Sequence, residues 1–378
     1  MKRTINVAVV GLRFGGCFPP IYIDHPDVGR VAVCDANPAM LNDYADRYGI
    51  TERYTDIKDI LSSDDFDAVH ILTPIPSHAE LSLAVLNSGK HCACTVPMAT
   101  SIDEMKAIVR AQRASGKNYM MMETAAYTYH FLLAREMHAK GEFGRIQLLR
   151  GAHYQDMENW PPYWLGLPPM WYATHAVSPL LALEHTRATK VHCFGSGVMR
   201  DELTKTYGNP YPAETAIFRL SNGCAAEVTR TLFQTAVPYI ESFHVYGERK
   251  SLEWHIENEP PNITTMTPPA EKLLRVRNNI TCARVAPPDR QDLLPPEIRK
   301  YTEIKIIPDP KNPHQSIKQG GGHHGSHPHL IHEFVRSIIE ERAPRIDAVT
   351  AANWTAAGVC AHESAMKDGK EVTVPEFA

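Results

Sequence analysis

The sequence has no apolar run approaching the ~20 residues that a bilayer-spanning helix needs, which excludes an integral helical membrane protein. It has no excess of one charge. With 39 Lys and Arg against 43 Asp and Glu, the formal charge of −4 leaves no electrostatic footprint for nucleic acid or an anionic membrane. It has no disulfide framework. The eight cysteines are scattered, several inside apolar runs, and Cys92-Ala93-Cys94 has the spacing of neither a redox pair nor a zinc site. The apolar run after Lys2 and Arg3 is broken by Asn6 and Arg13, so no signal peptide is read and a cytoplasmic location is expected. There is no internal repeat. What remains is a globular composition, 43% hydrophobic and 22% charged, spread over 378 residues. That is too long for one compact core, so two domains are expected.

The stretch from Ile5 to Asp35 organises the first of them. Ile5–Val10 is a β-branched apolar run, the pattern of a strand buried on both faces. It leads into Gly11-Leu12-Arg13-Phe14-Gly15-Gly16, an expected helix, and a second apolar run that ends at Asp35. Strand, glycine turn, helix, strand and terminal acid is the order of a dinucleotide-binding unit. There Gly11 permits the tight turn, Gly16 lets the helix pack close to the strand, and the helix N-terminus faces a pyrophosphate. Asp35 can accept from a ribose 2′-OH and would repel a 2′-phosphate, which favours NAD over NADP. Arg13 stands where the pattern has its middle glycine; it can close over phosphates, and an ordinary turn with no ligand is the alternative. Further strand ends fall at Thr73-Pro74, with His78 beyond, at Thr95-Val96-Pro97 and at Glu123. Strands and helices alternate throughout, so residues 1–125 are expected to form a doubly wound parallel sheet, with ligands beyond the strand ends. From about residue 144 the spacing becomes hairpin-like. Residues 126–378 are therefore expected to be an α+β domain on an open, mostly antiparallel sheet, with C-terminal helices packing back on the first domain. Residues 256–320 are rich in proline and charge and read as a surface excursion or subunit contact.

These strand-end motifs, with Thr73-Pro74-x-x-x-His78 and Gly89-Lys90-His91 the more specific, resemble the Gfo/Idh/MocA family of nicotinamide-dependent oxidoreductases over nearly the whole length. The resemblance implies a Rossmann domain followed by an open sheet, action on sugar or cyclitol hydroxyls, and a homodimer or homotetramer. Typical members carry Glu-Lys-Pro where this chain has Thr95-Val96-Pro97, and Val96 cannot replace a lysine that polarises or deprotonates a hydroxyl. The chain is also similar to the NAD-dependent glycosidase branch, which has Val-Pro there. Met121-Met122-Glu123, Gly151-Ala152-His153-Tyr154-Gln155-Asp156 and Tyr172-Ala173-Thr174-His175 match that branch in part. Its members keep NAD bound, oxidise C3, eliminate the aglycone across C1–C2, add water and reduce C3 again. By resemblance the cofactor residues are Gly11, Arg13, Phe14, Gly15, Gly16, Asp35, Thr73, Pro74, His78, Thr95, Val96, Pro97 and Glu123.

Tyr172 and His175 are the candidate catalytic pair, because oxidising an alcohol needs a base and a C3 ketone acidifies C2–H for a second one. A spacing of three puts both on one helical face, although a buried histidine and a core tyrosine would look the same. Candidate sugar contacts are Tyr127, His153, Tyr154, Asp156, Trp160, Trp164, His323 and His324, since aromatic rings cover apolar sugar faces and polar groups take hydroxyls. An aromatic loop at an interface is the alternative for 153–171. The histidines from His323 to His332 lack a supporting carboxylate or cysteine and lie among glycines, so a flexible loop closing over substrate or cofactor is expected and no metal. Arg230 can meet an acidic substrate group or form an ion pair. Three functions fit: a redox-neutral glycosidase, a sugar dehydrogenase releasing NADH, and a non-catalytic NAD-binding regulator.

Overall fold

The computed structural model describes residues 3–270, 277–312 and 314–378, so parts of the 256–320 stretch and Lys2 lie outside the described residues. Two compact units emerge. The first holds the chain up to Thr128 with Asp289–Ala352 and Phe377–Ala378; the second holds Tyr129–Pro288 and Asn353–Glu376. Asp289–Ala352 thus groups with the N-terminal unit.

The first unit is built on six parallel strands: β1 Ile5–Val10, β2 Val28–Cys34, β3 Arg53–Tyr54, β4 Ala68–Ile71, β5 His91–Cys94 and β6 Tyr119–Met121. Their order is β3-β2-β1-β4-β5-β6, so the chain reverses its direction of winding between β1 and β4. Helices α1 Pro19–Asp24, α2 Pro38–Tyr48, α3 Ile57–Ser62, α4 His78–Asn87 and α5 Ile102–Ser115 connect them. Local chemistry sets their ends. Asn37 accepts from the Ala39 and Met40 amides to start α2, and left-handed Gly49 stops it. Ser101 and Glu104 form a reciprocal capping box on α5.

The helix expected directly after the glycine turn is short. Gly15–Cys17 is a single 3-10 turn, and α1 begins at Pro19-Pro20, neither of which has an amide proton. A six-residue helix starting with two prolines offers little dipole and few donors, so any anion site here consists of the turn itself.

The second unit holds α6 Tyr129–Ala139, β7 Ile146–Tyr154, α7 Thr174–Leu183, β8 Ala188–Ser196, α8 Asp201–Thr204, β9 Ala213–Leu220, β10 Ala225–Thr231, β11 Ile240–Gly247, β12 Lys250–Trp254, β13 Asn262–Thr267 and β14 Asn279–Arg284. In the stretch expected to be irregular, β13 and β14 extend this sheet, and a separate ribbon, β15 Lys305–Pro308 with β16 Ser316–Gln319, belongs to the first unit. The remaining elements are α9 Gly322–Ile339, α10 Ala348–Ala365 and β17 Val372–Thr373. The nine-stranded sheet runs β14-β13-β12-β11-β7-β10-β9-β8-β17 and is antiparallel apart from β7 with β10. Helix α7 covers β7, β10 and β11. Strand β9 shows why one face is core: Glu214, Ala216, Phe218 and Leu220 are buried, and the residues between them are exposed.

No helix among the described residues is long and apolar enough to cross a membrane.

Candidate active site

In the first unit the ends of β1, β2, β4 and β5 converge at the point of reversal. Gly11 has φ +93°, and a Cβ there would lie 2.7 Å from the Leu72 carbonyl oxygen at the end of β4. Only glycine fits, as the sequence pattern requires. Gly16 has a different role from the expected one: its missing Cβ makes room for the Tyr44 ring of α2, not for a strand. Asp35 ties the turn to β2, taking the Leu12 amide on Oδ2 and the Asn37 amide on Oδ1, both at 2.8 Å. Its remaining lone pairs are available to a diol.

His78 joins two other strand ends. Its Nδ1 lies 2.8 Å from the Pro97 carbonyl and its Nε2 2.9 Å from the Thr73 carbonyl. Carbonyl oxygens only accept, so satisfying both contacts requires a proton on each ring nitrogen, which makes the side chain an imidazolium. Burial by itself would lower its pKa. Contacts with Cys94 and with the Pro97 and Thr73 carbonyls outweigh that and raise it to about 9. Thr73 and Thr95 are tied in alongside through Ser77 Oγ and the Ile71 carbonyl, and Val96 is buried.

Glu123 follows the end of β6, as the strand-end reading expects. It is fully buried, and its Oε1 accepts the Ala125 amide. Tyr127 is also buried. The histidine-rich turn is not an open loop. His323, His324 and Gly325 take left-handed backbone angles, and His324, His327 and His329 are buried. His323 and His327 set their rings edge-on to Phe14, and His327 stacks on Phe18. This packs them beside the glycine turn, with Phe14 half exposed and Arg13 exposed.

In the second unit Tyr172 ends the 3-10 turn Pro169–Tyr172, and His175 lies in the first turn of α7. His175 Nε2 is 3.2 Å from the Tyr172 hydroxyl. Beneath them the strands place four ionisable side chains in one row. Glu241 on β11 pairs with His153 on β7, His153 with Arg230 on β10, and Arg230 with Glu214 on β9. Residues paired across neighbouring strands point to one face, and here the row lies beneath α7. All four are buried. Tyr239 donates to Glu241, while Glu214 takes the Met170 amide and meets His362 Nδ1 at 2.6 Å.

Arg230 neither forms an ion pair nor reaches outward, as the sequence had suggested. Its donors go to the carbonyls of Tyr172, His153 and Thr231 and to Gln155 Oε1, at 2.5–3.0 Å. Burial lowers its pKa to about 10. The expected sugar contacts divide as well. Trp164 sits edge-on to Tyr172 with ring centroids 4.8 Å apart, and His153 lies 5.0 Å from the His175 ring. Tyr154, one residue along β7 from His153, points to the opposite face, where it lines a groove with Arg150, Ser242 and His244. Asp156 is exposed and closes a local turn on the Glu158 amide, and Trp160 is half exposed.

Glu241, Tyr239 and Glu214 had not been singled out. A signal for two of them was present, since Glu241 shares its strand phase with Phe243 and Val245, and Glu214 with Ala216 and Phe218. An acid in the apolar phase of a strand marks a buried polar site.

A parallel sheet reversing at β1 and β4, with a glycine turn and an acid at adjacent strand ends, defines a dinucleotide-binding Rossmann domain. Residues 5–123 match the family described as oxidoreductase family, NAD-binding Rossmann fold. That match is to the NAD-binding domain of the Gfo/Idh/MocA oxidoreductases, and with the relatives that follow it supports an NAD-dependent enzyme. Among curated relatives, glycosyl hydrolase family 109 protein 1 of Bacteroides thetaiotaomicron is 22% identical over 99% of this chain and 85% of its own length. The levoglucosan dehydrogenase of Pseudarthrobacter phenanthrenivorans is 29% identical over 41% of this chain and 42% of its own. A solved levoglucosan dehydrogenase in complex with NADH superposes with a TM-score of 0.78 at 21% identity, covering 99% of this chain and 100% of that one.

Proposed function

We propose that the protein acts on a pyranose or glycoside, oxidises a secondary hydroxyl, and uses Tyr172 and His175 for the proton that a lysine at position 96 would otherwise handle. The observation that carries this reading is the hydrogen-bonded Tyr172–His175 pair, set above a buried row of ionisable groups and beside the Trp164 ring. When bound, NAD supplies the hydride acceptor. Gly11 leaves the room for its pyrophosphate, Asp35 offers lone pairs to its ribose, and His78 holds the Thr73 and Pro97 strand ends in place. A phenol and an imidazole together provide the two bases that oxidation at C3 and loss of the C2 proton need. Departure of the aglycone, addition of water and reduction at C3 would complete a redox-neutral glycosidase. The similarity to glycosyl hydrolase family 109 and Val96 support this version.

A second version, a dehydrogenase that releases NADH, is supported by the similarity to levoglucosan dehydrogenase. A panel of aryl glycosides with catalytic NAD separates the two. Aglycone release far exceeding the NAD present, without NADH accumulation, establishes the glycosidase. NADH rising one for one with an intact 3-keto glycoside establishes the dehydrogenase. No turnover on any sugar, with NAD bound, overturns both.

A further inference from the structure

We infer that His153, His175 and Glu241 form a binding site for one divalent transition ion, with zinc as its representative. One ring nitrogen from each histidine and one carboxylate oxygen lie within 4.8 Å of one another, and all three residues are buried. Ligands held at 2.0–2.2 Å around a tetrahedral ion stand ~3.4 Å apart, so side-chain rotation alone closes the set. Two imidazoles and one carboxylate select a first-row transition ion over magnesium or calcium, which prefer all-oxygen shells.

Three further features fit a metal site better than a polar core. The ligands come from three regular elements, β7, β11 and α7, so their backbones are fixed before any ion arrives. Two of them have a phenol behind them: Tyr239 donates to Glu241, and Tyr172 bonds to His175. Metal ligands are commonly oriented by such outer hydrogen bonds. Lastly, Arg230, the neighbouring cation in the row, directs four hydrogen bonds to neutral oxygens and acts on Glu241 through its charge alone.

On the reading of function given above, an ion with an open fourth position would polarise the substrate hydroxyl in place of the missing lysine. With the ion bound His175 would be a ligand and not a base, and the proton would pass to Tyr172; the two-base role given above would belong to the ion-free site. The binding site itself does not depend on that reading, so its test uses neither sugar nor NAD.

The full chain is stripped with chelator, incubated with Zn2+ or Co2+, passed through a desalting column and analysed for bound metal. About one ion per chain is expected, with the visible absorption of a tetrahedral Co2+ site and no thiolate charge-transfer band. Glu241→Gln and His153→Gln should weaken Zn2+ binding by more than the ~10–100-fold that loss of an outer hydrogen-bond partner costs. A His244→Ala/His255→Ala double variant should bind as the wild type does, because those residues belong to a separate His244–Glu253–His255 cluster that is more exposed. If a row variant fails to fold, the Co2+ spectrum of the wild type still decides. Less than ~0.1 ion per chain, a thiolate band, or loss of binding in the His244/His255 variant overturns the assignment.

Discussion

The His78 clamp makes stability and cofactor affinity depend on pH in a stated direction. Its pKa is raised from 6.5 to about 9, and the ring is 1% exposed, so solvent screening takes little from the effect. At ~1.4 kcal/mol for each tenfold change, the preference of the folded state for the charged ring is roughly 3 kcal/mol. The folded pKa lies above the unfolded value. The stabilisation is therefore complete below pH 6.5 and is lost as pH rises through about 9. Urea denaturation at closely spaced pH values between 6 and 10 should show that loss, and His78→Gln should flatten the profile in the same window. The probe matters, because the five tryptophans, Trp160, Trp164, Trp171, Trp254 and Trp354, all belong to the second unit. Far-UV circular dichroism reports both units and tryptophan emission the second alone, so a loss confined to the first unit appears in circular dichroism and not in emission. NAD affinity should weaken across the same range, since neutral His78 releases one of the two strand ends. If wild type and His78→Gln have the same pH dependence by circular dichroism, the ring is not an imidazolium and the clamp argument fails.

Three other outcomes are expected. Tyr172→Phe and His175→Ala should each lower turnover by ~10²–10⁴-fold, leaving NAD binding by fluorescence titration unchanged; undiminished activity would end their catalytic assignment. Arg230→Met should destabilise the second unit by at least about 3 kcal/mol in tryptophan-monitored unfolding, because three buried carbonyls each lose a donor worth about 1 kcal/mol or more. Gly11→Ala should weaken NAD binding at least ~10-fold, since its Cβ meets the Leu72 carbonyl and its φ is left-handed; unchanged affinity in calorimetry would remove Gly11 from the cradle.

Local signals made much of the first unit legible. Ile5–Val10, Gly11 and Asp35 occupy the places that spacing assigned, because a buried parallel strand and a left-handed turn leave marks in adjacent residues. The short α1 is encoded by Pro19-Pro20, which supply no amide proton after the glycine turn. The second site was harder to read. Tyr172 and His175 are close in sequence, but the row beneath them joins positions 153, 214, 230 and 241 through pairings of strands far apart in the chain. Each strand betrays its buried acid or base by phase alone, and nothing local tells which residue becomes its neighbour. Tyr154 shows the converse: adjacency to His153 in sequence put it among the site residues, and strand alternation turned it away.

The row also makes the alignment of strands a chemical property of the protein. A slip of β7 by one residue would preserve strand content while turning Leu149 and His153 to the far face and bringing Ala152 or Tyr154 opposite Glu241. Refolded material could then regain its full circular dichroism and yet contain molecules with no assembled site. The fraction that regains activity, set against the fraction that regains secondary structure, counts the chains that found the right alignment.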